Sequence, residues 1–69
     1  MKLINVYGDT VILVDVRGNE HWIDRPNIRL LQKSQHNSKH TEVTWFDHVG
    51  NEKKVLVNVM LDDAKRILS

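Results

Sequence analysis

Cysteine is absent from this chain of 69 residues. That removes two devices by which short polypeptides hold a fold, the disulfide bridge and the thiolate zinc site. It also fits a reducing compartment, so the expected location is the cytoplasm. Proline occurs once and glycine three times. A Gly-rich phosphate loop is excluded, because Gly8, Gly18 and Gly50 each stand alone in a turn-like setting. The longest apolar run, Val11 to Val14, is far below the roughly 18 residues that a membrane span needs. No apolar run of signal-peptide length follows Lys2. The expectation is a soluble protein without membrane association.

A chain this short forms one domain and buries only about 60% of its unfolded surface. With disulfides excluded, self-association is the most available extra source of stability, and a homo-oligomer, most simply a two-fold dimer, is expected.

What is present is mostly strand. Lys2 to Tyr7 and Thr10 to Val16 alternate apolar residues on both faces and meet at the Gly8-Asp9 turn signal. Glu20 to Ile23 makes a short third strand. Pro26 then interrupts the pattern, since it lacks the N–H that a central strand must donate. Asn27 to Leu31 fits either a short strand or a turn of helix. Gln32 to His40 holds no aliphatic residue and reads as a flexible surface loop. Glu42 to Asp47 and Lys53 to Met60 alternate again, with Val55, Val57 and Val59 on one face. The tail carries Asp62 and Asp63 ahead of Lys65 and Arg66, the order a helix dipole favours, and Leu61, Ala64, Ile67 and Leu68 would share an apolar stripe.

One pattern occurs twice. Asp15-Val16-Arg17-Gly18-Asn19-Glu20 and Asp47-His48-Val49-Gly50-Asn51-Glu52 both read D-x-x-G-N-E, and each lies between strand-like runs. The Asp side chain can accept hydrogen bonds from N–H groups inside a hairpin turn, and Gly supplies positive φ. Convergent turn chemistry is the plainer account and a duplicated hairpin the sharper one. The acids and Gly are not spaced as in a calcium-binding EF-hand.

The net charge is +1, but its distribution is uneven. From Arg25 to His40 the chain carries Arg25, Arg29, Lys33 and Lys39, two histidines and no acid, while all nine acids lie elsewhere. Such segregation creates a local anion-binding potential. His36 and His40 stand four apart, but with no glutamate between them they do not make an H-E-x-x-H metal motif, so no metal and no cofactor is expected. Ser34 and Ser38 lie in the polar loop and Ser69 ends the chain, which is poor scaffolding for a nucleophile. Asp62 and Asp63 fit helix-start roles better than a catalytic dyad. The inventory argues against an enzyme.

Two tryptophans remain to be placed. Trp45 and Phe46 are consecutive in a strand and must point to opposite faces. Trp22 lies opposite His21 and Ile23; exposed, it would offer a base-stacking or protein-anchoring group. The plainer expectation is that both tryptophans fill a small core, which needs large side chains.

The segment Val11 to Ile28 runs from a strand through a Gly turn to Glu20-His21-Trp22-Ile23-Asp24-Arg25-Pro26-Asn27-Ile28. It resembles a pattern of small uncharacterised phage and prophage proteins, in which a strand ends in Trp-Ile before a basic, Pro-containing turn. The usual pattern places Pro directly after Trp-Ile, whereas here Asp24-Arg25 intervene. The resemblance implies a viral accessory protein acting on a host defence or regulatory system in the host cytoplasm, and it carries over no site residue.

The expected fold is mainly β with one short C-terminal helix, a small five-stranded antiparallel bent sheet or barrel of SH3-like or Sm-like kind. Its parts are a β-meander over 1–31, a polar loop over 32–41, a hairpin over 42–60 and a helix over 61–69. The expected function is that of a non-enzymatic binding module which inhibits or modulates a protein partner. A nucleic-acid or nucleotide binder using the basic segment is the alternative. Either would act through Arg25, Arg29, Lys33, Lys39 and Trp22.

Overall fold

The computed structural model describes residues 2–69. Its first unit is a meander of β1 (Ile4–Tyr7), β2 (Thr10–Val14) and β3 (Glu20–Asp24). All pairs are antiparallel, in the order β1-β2-β3. Tight connections leave no other choice, because a short hairpin can join only antiparallel neighbours. A 3-10 turn over Arg25–Asn27, with Pro26 at its start, then carries the chain out of that sheet. The second unit is a meander of β4 (Ile28–Lys33), β5 (Thr41–Phe46) and β6 (Glu52–Val57), followed by the helix α1 (Leu61–Leu68).

The mainly β class and the C-terminal helix match the expectation, but the sheet does not. The described residues form six strands in two three-stranded sheets, not five strands in one bent sheet or closed barrel. The missing strand is β4. Both readings of Asn27 to Leu31 are partly realised, since helical turn and strand follow one another there. Pro26 removes a ladder donor at the point where a single sheet would have continued, and the chain turns instead. Gln32 and Lys33, assigned from composition to the polar loop, extend β4 by pairing with Glu42 and Thr41. The connection shrinks to residues 34–40. There Ser34 N–H donates to the His40 carbonyl, His36 N–H to Ser34 Oγ, and Lys39 N–H to Asn37 Oδ1.

The two meanders repeat one another at the D-x-x-G-N-E turns. Asp15 Oδ1 accepts from the N–H groups of Arg17 and Asn19, at 2.9 and 3.0 Å. Asp47 Oδ1 accepts from those of Val49 and Asn51, at 3.0 and 2.8 Å. Gly18 and Gly50 take φ of +87° and +89°. The registers that follow also correspond, with Val11 opposite Ile23 and Val43 opposite Val55. The first turn meets the second sheet where Val16 N–H donates to the Leu56 carbonyl at 2.9 Å.

The core lies between the inner faces of the sheets. Val11, Leu13 and Ile23 from the first, Val43, Trp45 and Val57 from the second, and Ile4 and Ala64 make up its buried apolar part. Fully burying one such aliphatic side chain contributes roughly 1.5–3 kcal/mol. The helix packs against β1 and β4. Ala64 is buried and Leu61 and Leu68 are half-buried, but Ile67, placed on the same stripe from the sequence, is largely exposed.

Candidate partner-binding surface

Strand alternation puts successive residues on opposite faces, so the residues that build the core fix which ones face out. In β2, Val11 and Leu13 point inward and are fully buried, which sends Thr10, Ile12 and Val14 outward. In β3, Ile23 is buried, which sends Glu20, Trp22 and Asp24 outward. The register then sets the outer face in rows. Asn5, Ile12 and Trp22 form one row, and Tyr7, Thr10 and Asp24 the next. Trp22 is 70% exposed and Tyr7 64% exposed. Together with Thr10 and Ile12 they line a shallow, mostly apolar hollow.

The expectation that both tryptophans fill the core holds for Trp45 alone, which is buried. Phe46 points the other way, as consecutive strand residues must, and lies beneath the guanidinium of Arg29, 5.1 Å from the ring centroid.

The five residues singled out from the sequence do not converge. Arg25 is half-buried and its Nη2 donates to the Leu68 carbonyl at 2.8 Å. It closes the C-terminal end of α1, where the last carbonyls lack partners within the helix and the dipole favours a cation. Arg29 is spread over Phe46. Lys33 ends β4 and Lys39 lies in the connection to β5, both exposed. Trp22 stands on the other sheet, in a setting of opposite charge. Its Nε1 donates to Glu20 Oε1 at 3.3 Å, and Glu20 and Asp24 flank it on the same face of β3. Asp9 is exposed in the turn after Tyr7. The sequence reading missed Tyr7, Ile12 and this carboxylate rim. The sequence held only half of the signal: alternation separates Ile12 from Val11 and Trp22 from Ile23, but β2 is apolar on both faces, and the burial of Val11 and Ile23 is what sends Ile12 and Trp22 out together.

A second hollow lies between the β2–β3 turn and β6, lined by Asp15, Arg17, Lys54 and Leu56 among others. Its acid is committed. While Oδ1 of Asp15 serves the turn, Oδ2 pairs with Nε2 of His21 at 2.7 Å. The His21 hydrogen bond, followed by those of the Asn19 and Arg17 N–H groups, holds the Asp15 carboxyl below its usual range. The His21 ring in turn meets Trp45 edge-on, with centroids 5.7 Å apart. This pair orients a turn and a core ring. Among the described residues no three histidine or carboxylate side chains gather as metal ligands, and no helix is long and apolar enough to cross a membrane.

Comparison with protein-family models, with curated proteins and with solved structures gives no match for this chain.

Proposed function

We propose that the chain is a non-enzymatic binding module that docks on a protein partner through the outer face of β1, β2 and β3 and modulates that partner. The observation carrying this reading is the exposure of Trp22 and Tyr7 on either side of Ile12. Leaving two large aromatics in water forfeits burial that a thin core needs, and aromatic residues are the side chains that most often anchor protein interfaces. On the phage-accessory reading, the partner is a host protein of a defence or regulatory system. The self-association expected from the small core is a separate property, read by sedimentation.

The nucleic-acid alternative needs the cations and the exposed tryptophan on one surface, since stacking platforms work beside backbone-tracking positive charge. Here Trp22 is flanked by carboxylates and Arg25 is occupied at the helix end. The deciding experiment is quantitative capture of partners by the parent chain, by Tyr7→Ala/Trp22→Ala and by Arg29→Ala/Lys33→Ala, each with and without nuclease. The expected result is loss of capture in the aromatic variant only, with no effect of nuclease. Capture that is nuclease-sensitive and lost in the cation variant would overturn the proposal in favour of nucleic acid.

A further inference from the structure

We infer that the aromatic face receives a basic segment of a partner protein, with a lysine or arginine head group seated on Trp22 between the carboxylates of Glu20 and Asp24. The inference rests on the docking role proposed above and names the chemistry of what docks.

Three observations carry it. First, Glu20 and Asp24 lie two residues to either side of Trp22 on one strand and project from the same face. Their backbone positions are therefore each about 7 Å along the strand from that of Trp22, close enough for both side chains to reach a cation resting on the ring. Second, the bond from Trp22 Nε1 to Glu20 Oε1 holds one of these acids against the ring edge. Carboxylate and π face are thus presented together, and tryptophan is the ring that attracts a cation most strongly. Third, the charge on this face is unmatched. Among the described residues Asp9, Glu20 and Asp24 enter no ion pair. None of the outward-facing residues of the three strands is Lys or Arg.

The surface thus joins an apolar centre to a negative rim, and complementarity asks the reverse of its ligand. An aliphatic residue fits the hollow beside Ile12 and Tyr7, and a cation fits the Trp22 side. Adjacent strands lie roughly 5 Å apart, so the two ligand groups belong about one to three positions apart in an extended segment. A polyanion such as RNA is repelled by the same rim, and an acidic peptide likewise.

The test is selection of a random peptide library on the immobilised chain, with Trp22→Ala as counter-target. The expected winners require Trp22 and carry Lys or Arg near an aliphatic residue. For a synthesised winner, Glu20→Gln/Asp24→Asn is expected to weaken binding about tenfold, and raising salt from about 0.05 to about 0.5 M is expected to weaken it severalfold. Winners that need Trp22 but are neutral or acidic, or that ignore the Glu20→Gln/Asp24→Asn exchange, would overturn the cationic ligand and leave the docking face standing. Failure to recover any Trp22-dependent peptide would overturn the docking face itself. Displacement of a winner by an oligothymidylate would overturn both.

Discussion

The guanidinium of Arg25 donates a 2.8 Å hydrogen bond to the main-chain carbonyl of Leu68. It joins the 3-10 turn between the two sheets to the last turn of α1. The helix lacks a side-chain cap at Met60, and its eight residues are marginal without tertiary support. Arg25 is thereby a docking strap, not a free cation, and its place in a solvated basic segment was misleading.

Replacing Arg25 by Ala is expected to cost about 1–2 kcal/mol, from one charge-assisted bond and one helix-end interaction. Amide exchange should rise along Leu61–Leu68 before it rises in β5. Arg29→Ala, which gives up only an exposed contact with Phe46, should stay within about 0.5 kcal/mol of the parent. Equal losses in the two variants, measured by thermal or urea unfolding, would show that the strap has no such role.

The two turn acids predict acid sensitivity of definite sign. Hydrogen bonds from His21 and from the Asn19 and Arg17 N–H groups lower the Asp15 carboxyl from the ordinary 3.8. Those from the Asn51 and Val49 N–H groups lower Asp47 from the same value. A carboxyl depressed on folding adds stability that is complete above its unfolded value and is lost as pH falls through its folded value. The thermal midpoint should therefore fall below about pH 4. Asp15→Asn/Asp47→Asn keeps an acceptor oxygen at both turns but cannot titrate, so its midpoint should vary less with pH over that window. An unchanged acid slope would place the titration elsewhere.

Gly18 and Gly50 offer a matched comparison. A Cβ at either would meet nothing within 4 Å, so the cost of Gly→Ala is that of the left-handed backbone alone, about 1–2 kcal/mol each. The two single variants should lose similar amounts of stability and the double variant nearly their sum, because the turns lie in different sheets. A large difference between them, read from urea midpoints, would mean that the turns are not energetically equivalent.

Trp22 and Trp45 should separate stability from binding. Trp45→Ala leaves a cavity in the core and should cost about 3–5 kcal/mol. Trp22→Ala removes an exposed side chain and should change unfolding by no more than about 0.5 kcal/mol, while abolishing partner capture. A Trp22 variant that melts as early as the Trp45 variant would show that the exposed ring is structural.

Much of the local structure was legible before folding. The period-2 runs, the Asp-Gly-Asn turns and the acid-to-base order of the tail are all written within a few residues, because backbone preference and side-chain-to-backbone bonds act at that range. Asp15 and Asp47 show this well, since the bonds each makes within its own turn follow from spacing alone.

The tertiary structure decided where the pieces met. No local pattern could show that Arg25 would reach a carbonyl 43 positions away, or that Gln32 and Lys33 would be drawn into β4 by Glu42 and Thr41. Periodicity assigned Trp22 and Ile23 to opposite faces but could not say which face would be covered. That depended on the second meander burying Trp45 against the inner side of the first sheet and leaving the outer side to water. Local bonding therefore determined the elements and their turns. The packing of one sheet on the other, a contact between residues distant in the chain, determined which aromatic became core and which became surface.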